Sequence, residues 1–133
     1  MAKGFTLAYG MVLAAAVLPI VSAGIAKTLA ERHDGGFDNR DPRAWLERQQ
    51  GAAARANAAQ QNGFEGLPFF IGAVIIAHQL QASQPLIDLL AALFVLLRIV
   101  YVWCYVTDRA TVRSLVWLAA FVVNVAILFV GAF

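Results

Sequence analysis

The sequence predicts an all-α integral membrane protein folded as a four-helix bundle, and three observations carry that reading. Of the 133 residues 61% are hydrophobic, with a mean hydropathy of +0.70; soluble domains hold about 45–50% apolar residues even with glycine counted. Three apolar stretches, about 5–26, 86–106 and 112–133, are each long enough to cross roughly 30 Å of hydrocarbon. A fourth segment, about 42–78, starts Ala-rich and polar, turns apolar only after Glu65, and repeats small residues at helical spacing. That row is Ala52, Ala56, Ala59, Gly63, Gly66, Ala73 and Ala77, the kind of seam that lets helix backbones approach closely in a membrane. Length allows one domain, residues 1–133.

Helix one is expected over residues 5–26. Lys3 and the later Ser22-Ala23-Gly24 have the look of a secretory signal, but the apolar run exceeds the usual h-region, so the segment is read as a span. Pro19 is a candidate bend. A charged connector over 27–50 follows, punctuated by Gly35-Gly36 and Pro42. Pro42 suits a first helical turn and Asp41 its cap, so helix two is expected to start there and run to about 78. Its apolar part, Leu67 to Ala77, is short for a span, which puts the polar row upstream at membrane depth or in a wet recess. His78 to Gln84 reads as a loop ended by Pro85. Helix three, 86–106, carries Asp88 near one end and Arg98 past its middle; helix four, 112–133, carries Arg113 and Asn124.

Charge placement predicts topology. The connector holds five of the ten Lys and Arg residues, and Arg55, Arg109 and Arg113 fall on the same side, whereas 78–85 and the C-terminus hold none. The positive-inside rule then puts both connectors in the cytoplasm and both termini outside it. The formal charge of +2 is scattered, with no basic, aromatic-interleaved patch for nucleic acid. Cys104 is the one cysteine, so no internal disulfide forms, and His33 and His78 have no companions at metal-ligand spacing.

The candidate chemistry lies on three helix faces. Arg55, Asn62 and Glu65 share a face of helix two; Arg98, Tyr101 and Tyr105 stand at i, i+3 and i+7 on helix three; Arg113, Trp117 and Asn124 at i, i+4 and i+11 on helix four. A charge at the centre of a span costs about 2.5–3.5 kcal/mol on the insertion scale, so a Glu65–Arg98 pair is the economical arrangement. Each group also has a plainer reading. The pair can serve register alone, the tyrosines an interfacial belt, Arg113 a helix end, and Cys104 the core.

Asn62-x-x-Glu65-x-x-Pro68, Arg98-x-x-Tyr101-x-x-x-Tyr105 and Arg113-Ser114 together resemble the MAPEG family, the membrane-associated proteins in eicosanoid and glutathione metabolism. The resemblance covers helices two to four, and helix one by length and position. It implies a homotrimer in the lipid bilayer, of the bacterial inner-membrane type, with glutathione as co-substrate between subunits. Asn62, Glu65, Arg98, Tyr101 and Tyr105 would hold the peptide, and Arg113 would stabilise its sulfur as thiolate for attack on a lipophilic small-molecule substrate. The sequence departs from the pattern at Ala58, where characterised members usually carry arginine, and at Gly66, often tyrosine; Arg55, Arg43 or Arg48 are the available replacements. A non-catalytic binding protein on the same fold is therefore the alternative. A proton-coupled exporter is a third reading, opposed by the absence of charge inside helix one.

Overall fold

A computed structural model describes residues 4–30 and 36–133. Lys3, His33 and Gly35, which entered the sequence reading, lie outside the described residues. Those described fold into five helices: α1 (Leu7–Leu29), α2 (Pro42–Glu47), α3 (Gly51–Gln79), α4 (Gln84–Val106) and α5 (Ala110–Phe129). There is no strand among them. Three helices, α1, α4 and α5, are long and apolar enough to cross a membrane, which makes this an integral membrane protein.

The segment expected as one helix over 42–78 is two. Asp41 caps α2 as expected, its carboxylate accepting from the Ala44 amide at 3.4 Å, with Pro42 at the first position. The chain then leaves the helix at Arg48 and re-enters at Gly51, whose φ of +63° is a left-handed conformation that a side chain disfavours. α2 folds back so that Trp45 and Leu46 bury against Ala26 and Ala56. Phe37 meets the edge of Trp45, and the Lys27 ammonium lies 4.2 Å from the Phe37 ring centroid.

Successive long helices run antiparallel. At one end the Ala8 amide donates to Asp88 Oδ1 at 2.9 Å, capping α1 from α4, while Thr6 Oγ1 pairs with His78 Nε2 at 3.1 Å at the end of α3. Two turns of one design reverse the chain. After α3 the Ala82 amide donates to the Ala77 carbonyl and the Gln81 amide to that of His78. After α4, Arg109 donates to Cys104 and Asp108 to Tyr105 in the same pattern. Gln81 and Asp108 occupy the left-handed position, with φ of 55° and 60°. The second turn points α5 back along α4, so Arg113 begins one turn from the end of Tyr105's helix.

Much of the small-residue seam packs against the chain's own helices. Ala56, Ala59, Ala73 and Ala77 are buried within the single chain, and α1 and α3 share the most extensive helix contact. α1 answers with its own small face, Ala8, Ala15, Pro19, Ser22 and Ala26. At Gly63 a Cβ would lie 2.7 Å from Pro19 Cγ, so the backbone passes the proline ring with no space for a side chain. Small surfaces pair where both helices offer them, and α1 is the nearest helix that does. On the far side of α3, Phe70 stacks on Phe94 of α4 at 4.2 Å in the central core.

Candidate functional site

Arg98 is the centre of the polar arrangement. It is 7% exposed, in the middle of an apolar helix. Its Nη2 donates to Asn62 Oδ1 on α3 at 2.8 Å, and its guanidinium lies 4.2 Å from the Tyr101 ring centroid. The Glu65–Arg98 pair expected from charge is not formed: among the described residues no ion pair joins them, and the amide takes the hydrogen bond. One helical turn explains this. Asn62 faces α4 and is half-buried, while Glu65 has swung to the exposed edge of the same face.

The tyrosines extend the arrangement towards α5. Tyr101 and Tyr105 meet edge to face at 5.6 Å, and Arg113 lies over Tyr105 at 4.2 Å from its centroid. Asn62, Arg98, Tyr101, Tyr105 and Arg113 thus form one connected run across three helices, two cations on two aromatic faces. Arg113 and Tyr105 are half-buried. The Tyr101 ring packs inside the bundle, 4% exposed.

Arg55 stands elsewhere. Its Nε and Nη2 both donate to the Val106 carbonyl, at 3.3 and 3.1 Å, satisfying the C-terminal end of α4. With Ala58 carrying no charge, the start of the polar row contributes a structural tie instead of a further cation at the run. Ser114, beside Arg113, returns its hydroxyl to the Ala110 carbonyl.

A cavity of about 240 Å³ opens beside Arg98. α3 contributes Asn62, Glu65, Gly66 and Phe69; α4 contributes Phe94 and Arg98; α5 contributes Trp117, Ala120, Phe121 and Asn124. Trp117 and Phe121 stack in near-parallel planes at 5.5 Å, and Phe69 meets Phe121 at 5.9 Å. Behind Arg98 a second space of about 20 Å³, between Ser22, Pro19, Gly63 and Val102, is large enough for a single water. The guanidinium therefore borders both, presenting donors to a ligand on one side and to solvent-sized space on the other.

Sequence reading missed two things here. The i, i+3 spacing of Asn62 and Glu65 did reveal a shared face, yet charge drew attention to the glutamate when the amide was better aimed. The aromatic wall also escaped notice, although Trp117 and Phe121 are themselves at i, i+4. A family model described as the MAPEG family matches residues 7–133. No curated protein and no solved structure matches the chain.

Proposed function

The chain belongs to the MAPEG family, and from that premise we propose that it is a glutathione-dependent membrane transferase or peroxidase acting on lipophilic electrophiles. The observation that carries this reading is the connected run from Asn62 through Arg98, Tyr101 and Tyr105 to Arg113. It offers donors and cations along about two turns of α4, roughly 10 Å, to an anionic, polar peptide, beside an aromatic cavity for an apolar partner.

The roles divide by position. Asn62 and Arg98 hold acceptor groups of the peptide, and Glu65, with no cation paired to it among the described residues, receives its ammonium. Arg113 stabilises the sulfur. A thiol of pKa about 8.5 is mostly protonated at pH 7, and lowering it by about two units needs roughly 2.7 kcal/mol. A guanidinium about 4 Å away supplies up to roughly 4 kcal/mol at an effective dielectric of 20. The thiol proton leaves to water; the sulfur lone pair forms a bond to the electrophilic carbon as its leaving group departs with the bonding pair.

The remaining features belong to the same proposal. Glu65 is exposed in the single chain and Arg113 half so, although both stand beside lipid-facing surface. A neighbouring copy covering that edge would shield them, which favours a homotrimeric bundle of four long helices per subunit with glutathione between subunits. The Lys and Arg distribution favours both termini outside the cytoplasm, and the family resemblance suggests a bacterial inner membrane. One observation supports a non-catalytic ligand-binding role on the same fold: Arg55 is engaged by Val106, and Ala58 provides no substitute for a carboxylate clamp.

Calorimetry of glutathione against the detergent-solubilised protein tests the thiol assignment, and saturable binding is expected. Turnover of a generic aryl halide or a lipid hydroperoxide then separates enzyme from binder. Binding without turnover would leave the non-catalytic reading; no binding would remove glutathione from both.

A further inference from the structure

α4 has two unlike faces at the end where it meets α5. Tyr101 and Tyr105 turn towards the polar run. Trp103 lies two residues from each, roughly 200° round the helix, and is 53% exposed. It closes a row of exposed apolar side chains on that face, Leu89, Leu93, Leu96 and Ile99. From Leu93 to Trp103 the row rises roughly 15 Å, which is one leaflet of a hydrocarbon core about 30 Å thick.

The row ends in a cation. The Arg109 guanidinium lies 4.9 Å from the Trp103 ring centroid, and the residue is exposed. Among the described residues no hydrogen bond or ion pair engages that guanidinium, although Asp108 is its neighbour in sequence. Two nearby arginines face elsewhere: Arg55 is spent on the Val106 carbonyl, and Arg113 lies over Tyr105 beside the polar run. A guanidinium held against a ring by cation–π attraction keeps its N–H donors available. Tryptophan itself favours the level of the lipid headgroups, where one end of the ring is wet.

We infer that this face of α4 holds one anionic phospholipid, its phosphate on Arg109 beside Trp103 and an acyl chain along the row to Leu93. The inference stands on the chain being an integral membrane protein and is independent of the thiol chemistry. A guanidinium suits phosphate because two parallel N–H donors can meet two of its oxygens. In a zwitterionic lipid the headgroup cation already offsets the phosphate charge. An anionic lipid leaves that charge to be met by the protein, and arginine near such a surface is attracted to it. A second copy of the chain is a poorer occupant, since α4 carries no carboxylate after Asp88 with which this face could answer Arg109.

Native mass spectrometry of the protein in uncharged detergent counts lipid bound per subunit, with dioleoyl phosphatidylglycerol and dioleoyl phosphatidylcholine as probes. Wild type is expected to bind phosphatidylglycerol more tightly, filling one site per subunit first. Arg109→Gln should weaken phosphatidylglycerol roughly fivefold and leave phosphatidylcholine nearly unchanged. Trp103→Leu keeps the row apolar but removes the ring, so it should weaken phosphatidylglycerol less, with recovery in Trp103→Phe. Arg48→Gln removes an exposed cation from α2, away from the row, and should cost less than about twofold. Far-ultraviolet circular dichroism checks that each variant is folded. Equal losses in Arg109→Gln and Arg48→Gln would reduce the effect to diffuse charge and overturn the inference. So would equal affinity of wild type for the two lipids, or displacement of the lipid by inorganic phosphate at matched ionic strength. A changed oligomer mass in Trp103→Leu with lipid binding intact would make this face a subunit contact instead.

Discussion

Gly63→Ala measures the closest contact in the bundle. The new methyl would lie 2.7 Å from Pro19 Cγ, 3.3 Å from its Cβ and 3.7 Å from its Cδ. The first distance is shorter than carbon atoms tolerate, and the ring can yield only by changing its pucker, which leaves Cβ at 3.3 Å still close. Overpacking of this kind costs about 1–3 kcal/mol. Against it stands the gain of alanine over glycine inside a helix, about 0.5–1 kcal/mol. Gly66→Ala supplies the control on the same helix, since its Cβ would meet nothing within 4 Å. The propensity gain cancels between the two variants, so their difference in unfolding free energy isolates the contact at about 1–3 kcal/mol. Gly66→Ala should be no less stable than wild type, and Gly63→Ala clearly less stable than Gly66→Ala. Unfolding in mixed micelles by SDS titration, followed by far-ultraviolet circular dichroism, gives both values. Adding Pro19→Ala should remove most of the difference. Equal stability of the two glycine variants would refute the α1–α3 contact. A change in oligomer mass without loss of subunit stability would move Gly63 to a subunit boundary.

Three further outcomes are expected. Asn62→Leu and Arg98→Leu should couple by about 0.5–3 kcal/mol in a double-mutant unfolding cycle, whereas Glu65→Gln and Arg98→Leu should be close to additive, the reverse being fatal to the hydrogen-bond assignment. Arg113→Ala should lose the ultraviolet thiolate band of bound glutathione while keeping much of the binding, with partial recovery in Arg113→Lys because a point charge suffices for sulfur; an undiminished band would shift the role to Tyr101 or Tyr105. Asp108→Gly should raise the thermal midpoint, since the left-handed position that disfavours a side chain accepts glycine, and a lower midpoint would show the carboxylate to matter more than the backbone.

Much of the helical plan was legible because it rests on short-range chemistry. Asp41-Pro42 announces a helix start in any context, and three apolar runs of sufficient length announce spans. The break after Arg48 was not legible from breakers alone, since no proline follows; the signal was Gly51, a glycine just where the polar helix begins. The seam from Ala56 to Ala77 shows the limit of periodicity. Spacing identifies a face that packs closely, but not the helix it packs against, and α1 carried a matching row of Ala8, Ala15, Ser22 and Ala26 within the same chain. At the site, residue types on common faces grouped Arg98 with Tyr101 and Tyr105, which do meet, whereas Arg113 joins Tyr105 and Trp117 turns to Phe121 and the cavity. Which acceptor Arg98 takes depended on a fraction of a helical turn between Asn62 and Glu65, finer than one-dimensional spacing resolves. Arg55 was drawn away by an unsatisfied carbonyl at Val106, a demand that exists only once α4 has an end beside it.

α3 is the longest helix, 29 residues or roughly 44 Å, and yet it is not among the three apolar enough to cross a membrane. A translocon that sorts segments by hydropathy would release α1, α4 and α5 into lipid and leave α3 in water. Three crossings put the two chain ends on opposite sides, four on the same side. For α3 to become a fourth crossing, α1 and α4 would have to draw it in after their own insertion, and the Gly63–Pro19 contact and the Asn62–Arg98 bond are the ties available for that. Truncated nascent chains ending before α4 should therefore show α3 accessible to water-soluble labels that the finished protein excludes.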